Sequence, residues 1–99
     1  MAVLLMFDSQ AQRAHVEAIT DSMRIRDSPP PGLICHVATE TPEGVRIYDV
    51  WESEEDFQVF ARDRLLPATR AYLLKRSLPT DVPLPTVTIV EAHDVVRGR

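Results

Sequence analysis

The feature that most constrains this chain is one hairpin and its surroundings. Leu33 to Glu40 (LICHVATE) and Val45 to Glu52 (VRIYDVWE) are rich in β-branched and aromatic residues and flank Thr41-Pro42-Glu43-Gly44, a turn with proline and glycine in suitable places. Before it, Ala2 to Phe7 (AVLLMF) reads as a short strand, and Ser9 to about Met23 as a helix with a Ser9/Gln12 capping box and Val16, Ile19 and Met23 at helical spacing. After it, Ser53 caps an acidic first turn, and Phe57, Phe60 and Ala61 mark a second helix to about Leu66. Pro67 fits the first position of a third helix to about Ser77, and Thr86 to Val96 reads as the last strand. Asp27 to Gly32 and Pro79 to Pro85 are proline-rich loops.

The order strand, helix, strand, strand, helix, strand is that of a ferredoxin-like split βαβ fold, class α+β, with a four-stranded antiparallel sheet and helices on one face. At 99 residues the chain makes one domain, residues 1–99. Both sheet faces are apolar: Val3, Leu5 and Phe7 alternate with Leu4 and Met6, and Leu33, Cys35 and Val37 with Ile34 and Ala38. The face without helices therefore needs a cover, and a second copy of the sheet supplies one, giving a homodimeric α+β barrel.

Composition narrows the partners. A net charge of −4 supplies no positive field for nucleic acid or anionic lipid. The longest apolar run, Met1 to Phe7, is far short of the roughly 20 residues of a membrane span, and no positive segment precedes it as in a signal peptide. The reading is a cytoplasmic protein with neither nucleic-acid nor membrane partner. Cys35 is the single cysteine, so no internal disulfide or thiolate cluster forms, and its apolar strand neighbours suggest an inert buried thiol. No glycine-rich phosphate loop, nucleophile elbow or metal-spaced Cys/His cluster is present.

Gly32 to Ala38 (GLICHVA), Tyr48 to Ser53 (YDVWES) and Phe57 with Phe60 resemble the dimeric α+β barrel proteins of the antibiotic biosynthesis monooxygenase type, over most of the chain. The resemblance implies the barrel fold and, among activities, cofactor-independent oxygenation of aromatic polyketide-like or quinol substrates. The haem-degrading branch is similar at Trp51 and Phe57 but carries a histidine on its second helical stretch and an asparagine near the end of strand one. Here Phe57 to Leu78 has no histidine and Phe7-Asp8 stand at the asparagine position, so haem degradation is not expected, and the cofactor-independent activity that the resemblance implies calls for no cofactor.

The hairpin register decides the candidate chemistry. With a four-residue loop, Thr41 to Gly44, His36 lies across from Asp49 and Ile34 across from Trp51. With a three-residue loop and a glycine bulge, His36 falls opposite Val50 and Tyr48 joins its face. Either way a histidine beside a carboxylate or a phenol is a candidate proton acceptor for a phenolic or enolic substrate, and otherwise a hydrogen-bonded histidine at a sheet surface or dimer seam. Trp51, Phe57, Phe60 and Tyr72 are read as walls of an aromatic-accepting pocket or as plain core, and Arg64 as bordering the Phe57 face or snorkelling to solvent. His93 follows Glu91 by two in the last strand and is a further pocket candidate. Strands two and four form opposite edges, roughly 14 Å apart at ~4.8 Å per strand, so His93 and His36 share no metal within a subunit and no metal site is expected.

Three functions fit these residues: a cofactor-independent monooxygenase with His36 and Asp49 as its catalytic residues, a non-catalytic small-molecule-binding homodimer, and a cofactor-free isomerase or cyclase. Each takes an apolar or aromatic small molecule.

Overall fold

The structure, a computed structural model, describes residues 1–9, 12–79 and 86–98. Its elements are β1 (Val3–Ser9), α1 (Arg13–Met23), β2 (Leu33–Thr41), β3 (Gly44–Trp51), α2 (Glu54–Phe60), a π-helical segment Ala61–Leu65, α3 (Leu66–Lys75) and β4 (Val87–Glu91). The strands form one antiparallel sheet in the order β2-β3-β1-β4, the ferredoxin-like order, with β2 and β4 at the edges.

Several boundaries depart from the sequence reading. Ser9 ends β1, where it pairs with Val45, so no capping box starts α1; Gln12 stands at the cap with no side-chain bond. The last strand stops at Glu91 rather than Val96, and residues 80–85 of the second proline loop lie outside the described residues. Pro67 does not divide two helices. It sits in the first turn of α3, which the π segment joins to α2 without a break, the wider turn taking up a residue that has no N–H to donate. Ser53 caps α2 as expected, its hydroxyl accepting from the Asp56 amide at 3.1 Å.

The helices cover one face of the sheet. Val45, Ile47, Asp49 and Trp51 alternate as the buried residues of β3, and Val3, Leu5, Ile25, Trp51, Phe57 and Phe60 form the core cluster. Trp51 is wholly buried, edge-on to Phe57 (centroids 5.7 Å apart) and tilted against Phe60 (5.2 Å). Gly32 holds φ +87°, and a β-carbon there would collide with the Asp56 side chain; only glycine lets the loop lie this close to α2. Its carbonyl accepts from the Glu52 amide at 2.8 Å.

The hairpin follows the first of the two registers, with Glu40 opposite Val45 and His36 opposite Asp49. A bulge between Leu33 and Cys35 then shifts the pairing, so Leu33 and not Ile34 lies across from Trp51. Leu33 consequently packs on the core beneath the helices, while Cys35 and Val37 take the opposite face. Cys35 is exposed, which corrects the reading of a buried thiol: its apolar neighbours line a face that the chain itself leaves open.

That open face is ordered in rows. Cys35, Val50, Leu4 and Val90 form one row across the four strands, and Val37, Tyr48, Met6 and Thr88 the next. A third row holds Thr39, Arg46 and Asp8, the last two ion-paired at 2.7 Å. Val37 is 44% exposed and Val90 50%, so the apolar rows face outward. No described helix is long and apolar enough to cross a membrane.

Candidate active site

The strand β3 sends Asp49 and Trp51 to the helix side two residues apart, and the register of β2 brings His36 opposite Asp49 on that same side. His36 Nδ1 and Asp49 Oδ1 are 2.7 Å apart, and the Trp51 indole N–H donates to Asp49 Oδ2 at 3.3 Å. Asp49 is only 4% exposed, and the ring of His36 and the indole are the side-chain partners that satisfy its two oxygens. An ionised carboxylate only accepts hydrogen bonds, so a neutral imidazole beside it carries its proton on Nδ1 and its lone pair on Nε2. His36 is thereby held in one orientation and one tautomer.

Beside this pair lies a cavity of about 150 Å³ between the sheet and the helices. Phe7 and Ile47 line it from the sheet, Val16, Ile19 and Met23 from α1, Phe57 and Phe60 from α2, and Leu65 and Thr69 from the stretch that follows. Its wall is almost entirely apolar, and His36 and Asp49 are its titratable residues. A second cavity, of about 520 Å³, adjoins it; the two share Val16, Thr20, Ile25, Leu33 and His36. Arg13, Glu17, Asp21, Arg26 and Glu40 make this outer space polar.

Of the residues singled out from sequence, His36, Asp49, Trp51, Phe57 and Phe60 come together at the inner cavity. The others lie elsewhere. Tyr48 projects onto the open sheet face, between Val37 and Met6, because the register that joins His36 to Asp49 turns its neighbour away. Arg64 donates from Nη1 to the Ser28 carbonyl at 2.9 Å and from Nη2 to the Met23 carbonyl, and lies 6.0 Å from the Phe60 ring centre. Its guanidinium is thus engaged by backbone at and beyond the end of α1. Tyr72 shares a hydrogen bond with His15 and carries Arg76 over its ring at 4.4 Å. His93 is exposed beyond the end of β4, since the strand stops two residues short of it. Among the described residues no group of three His, Cys, Asp or Glu side chains is placed to hold a metal ion.

Phe7, Thr20 and Thr69 line the cavity and were not singled out. A signal for the hollow exists in α1: its stripe of Val16, Ile19 and Met23 faces the sheet, yet none of its residues is fully buried. The stripe borders the hollow with side chains that are only half-buried.

The fold and this chamber define a class, the ferredoxin-like α+β proteins with a cavity between sheet and helices. No family model and no curated protein matches the sequence. Solved structures do match in three dimensions, and they give the chain the fold of the antibiotic biosynthesis monooxygenases. The ActVA-Orf6 monooxygenase of Streptomyces coelicolor, solved with the ligand nanaomycin D, is 24% identical with a TM-score of 0.60, over 99% of this chain and 91% of that one. SnoaB, a cofactor-independent oxygenase of Streptomyces nogalater, is 16% identical over 96% and 94% of the two chains, with a TM-score of 0.58. A Deinococcus radiodurans protein provisionally assigned to the antibiotic biosynthesis monooxygenases is 17% identical over 100% and 99%, at a TM-score of 0.63.

Proposed function

We propose that the protein is a cofactor-independent oxygenase of a small phenolic or quinol-type molecule, working as a homodimer, with the inner cavity as its site and His36 as its proton acceptor. The observation that carries this reading is the chain Trp51 to Asp49 to His36, which fixes a base on the wall of an otherwise apolar chamber. The monooxygenases among the matching folds support the oxygen chemistry.

In such a chamber a phenol or enol loses its proton to His36 Nε2, and the imidazolium that forms is stabilised by the adjacent carboxylate. The electron-rich carbanion form of the anion adds dioxygen at carbon to give a hydroperoxide. Loss of the remaining hydrogen on that carbon as a proton, with cleavage of the O–O bond, leaves a carbonyl and releases water. One oxygen atom of dioxygen enters the product and the other leaves as water, so substrate supplies all the electrons. The apolar wall favours this course because it excludes the water that would otherwise solvate the anion. The homodimer follows from the two apolar rows of the open face, which a second sheet would bury.

An oxygen electrode with a panel of aromatic quinols tests the reading. The expected result is oxygen consumption that His36→Gln reduces about a hundredfold or more, since a general base contributes ~10² to 10⁴. Full activity in His36→Gln removes the base assignment. Exchange of substrate C–H for deuterium without oxygen uptake favours the isomerase or cyclase reading instead.

A further inference from the structure

The inner and outer cavities meet at His36, and their walls differ in kind. The inner chamber has the volume of a cavity that accepts benzene, about 150 Å³, which suits one ring and not a fused system. Apart from the His36–Asp49 pair its lining is mostly apolar, so a charged substituent placed there would recover little of the hydration it loses. The outer groove is more than three times larger and carries Arg13, Glu17, Asp21, Arg26 and Glu40. Three carboxylates therefore face two guanidinium groups. Arg13 is shared between Glu17 at 2.6 Å and Glu40 at 3.6 Å, so the groove keeps one carboxylate charge in excess, and the chain as a whole carries −4. An anion entering the groove meets net repulsion, whereas hydroxyl, amide or ammonium groups find acceptors.

We infer that the substrate is a single-ring phenol or enol bearing, next to its acidic hydroxyl, a short polar arm that is uncharged or cationic: the ring fills the inner chamber, the hydroxyl meets His36 and the arm lies in the outer groove. This rests on the reading of His36 as proton acceptor and adds to it the shape and charge of what is recognised. The division of labour is physical. Ring burial supplies hydrophobic affinity, and the arm sets orientation, because only with the arm outward does the hydroxyl reach the shared residue.

Trp51 is the chain's one tryptophan, so its indole N–H gives a single NMR cross-peak inside the inner chamber. Titration of the 15N-labelled protein with phenol, N-(2-aminoethyl)salicylamide and N-salicyloylglycine compares a bare ring, a cationic arm and an anionic arm. The expected order has the amine-armed probe about tenfold tighter than phenol and the carboxylate-armed probe weaker than the amine. Asp21→Lys, a change at an exposed position, should remove at least threefold of the amine probe's advantage and leave phenol binding unchanged. Equal affinity of phenol and the amine-armed probe, tighter binding of the carboxylate, or an Asp21→Lys variant indistinguishable from the parent each overturn the inference. Because the cross-peak reports occupancy and not turnover, a probe that binds in the expected order but is never deprotonated refutes the base reading alone.

Discussion

His36 and Asp49 face each other across the hairpin with their nearest side-chain atoms 2.7 Å apart, and the carboxylate's second oxygen is taken by the indole of Trp51. An acid buried to this degree persists only when its lone pairs are occupied. The pair is consequently both a packing feature of the core and the place where a proton is held beside the cavity.

Replacing Asp49 separates the two roles. Asp49→Asn keeps an acceptor for one donor but offers an amide N–H to the other, so the imidazole is no longer confined to one tautomer. We expect a loss of about 1–3 kcal/mol in urea unfolding and a fall in any His36-dependent turnover of at least tenfold. 15N shifts of the His36 ring, sharp for one tautomer in the parent, should move toward a mixture in the variant.

Trp51 is the largest wholly buried side chain among the described residues, and Trp51→Ala should cost about 3–5 kcal/mol by cavity formation. Trp51→Phe retains most of the volume but deletes the donor to Asp49. It should be the milder change in denaturant titration, and it should still impair chemistry at His36. A phenylalanine variant as active as the parent would show that the indole is packing alone.

The two faces of the sheet respond differently to charge. Leu5→Glu places a carboxylate at a wholly buried position and should prevent folding, whereas Val37→Glu lands on the open face and should leave the circular dichroism intact. Light scattering should then report the parent at twice the 11.2 kDa chain mass and the Val37 variant at the chain mass. A parent that stays at 11.2 kDa at micromolar concentration contradicts the homodimer.

Acid sensitivity has a local source in the ion pair beside the apolar rows. The Arg46 guanidinium holds the Asp8 carboxyl below its ordinary value through their hydrogen bond, and an acid depressed in the folded state contributes stability above the unfolded pKa of about 4. That contribution is lost as pH falls through the folded-state value. Asp8→Asn should therefore unfold at a urea midpoint closer to the parent's at pH 3 than at pH 6.

Much of the fold was legible because its signals are local. The hairpin, the Ser53 cap and the alternation of β3 each depend on residues close in sequence. The two-register ambiguity at His36 was resolved by the turn itself: Thr41 pairs with Gly44, which leaves Pro42-Glu43 at the tip and fixes the parity of every residue before it. The bulge after Leu33 has no such local mark, because Leu33 and Ile34 are equally apolar and the choice between them is made by Trp51 across the strand. Arg64 was misplaced for a related reason. Its helical phase is set by the π segment that contains it, and one extra residue per hydrogen-bonded turn rotates it away from the Phe57 face toward the end of α1.

The clamp made by Arg64 also bears on how such a chamber changes over generations. It ties the corner after α1 to the helical layer between Met23 and Leu65, both of which line the inner cavity and neither the outer groove. Substitutions at those two positions alter the size of molecule admitted while His36 and Asp49 keep their places on the strands. On the proposed function, selection for a new ligand can thus proceed at one wall while the His36–Asp49 pair is kept, and this separation makes the scaffold permissive to drift in specificity.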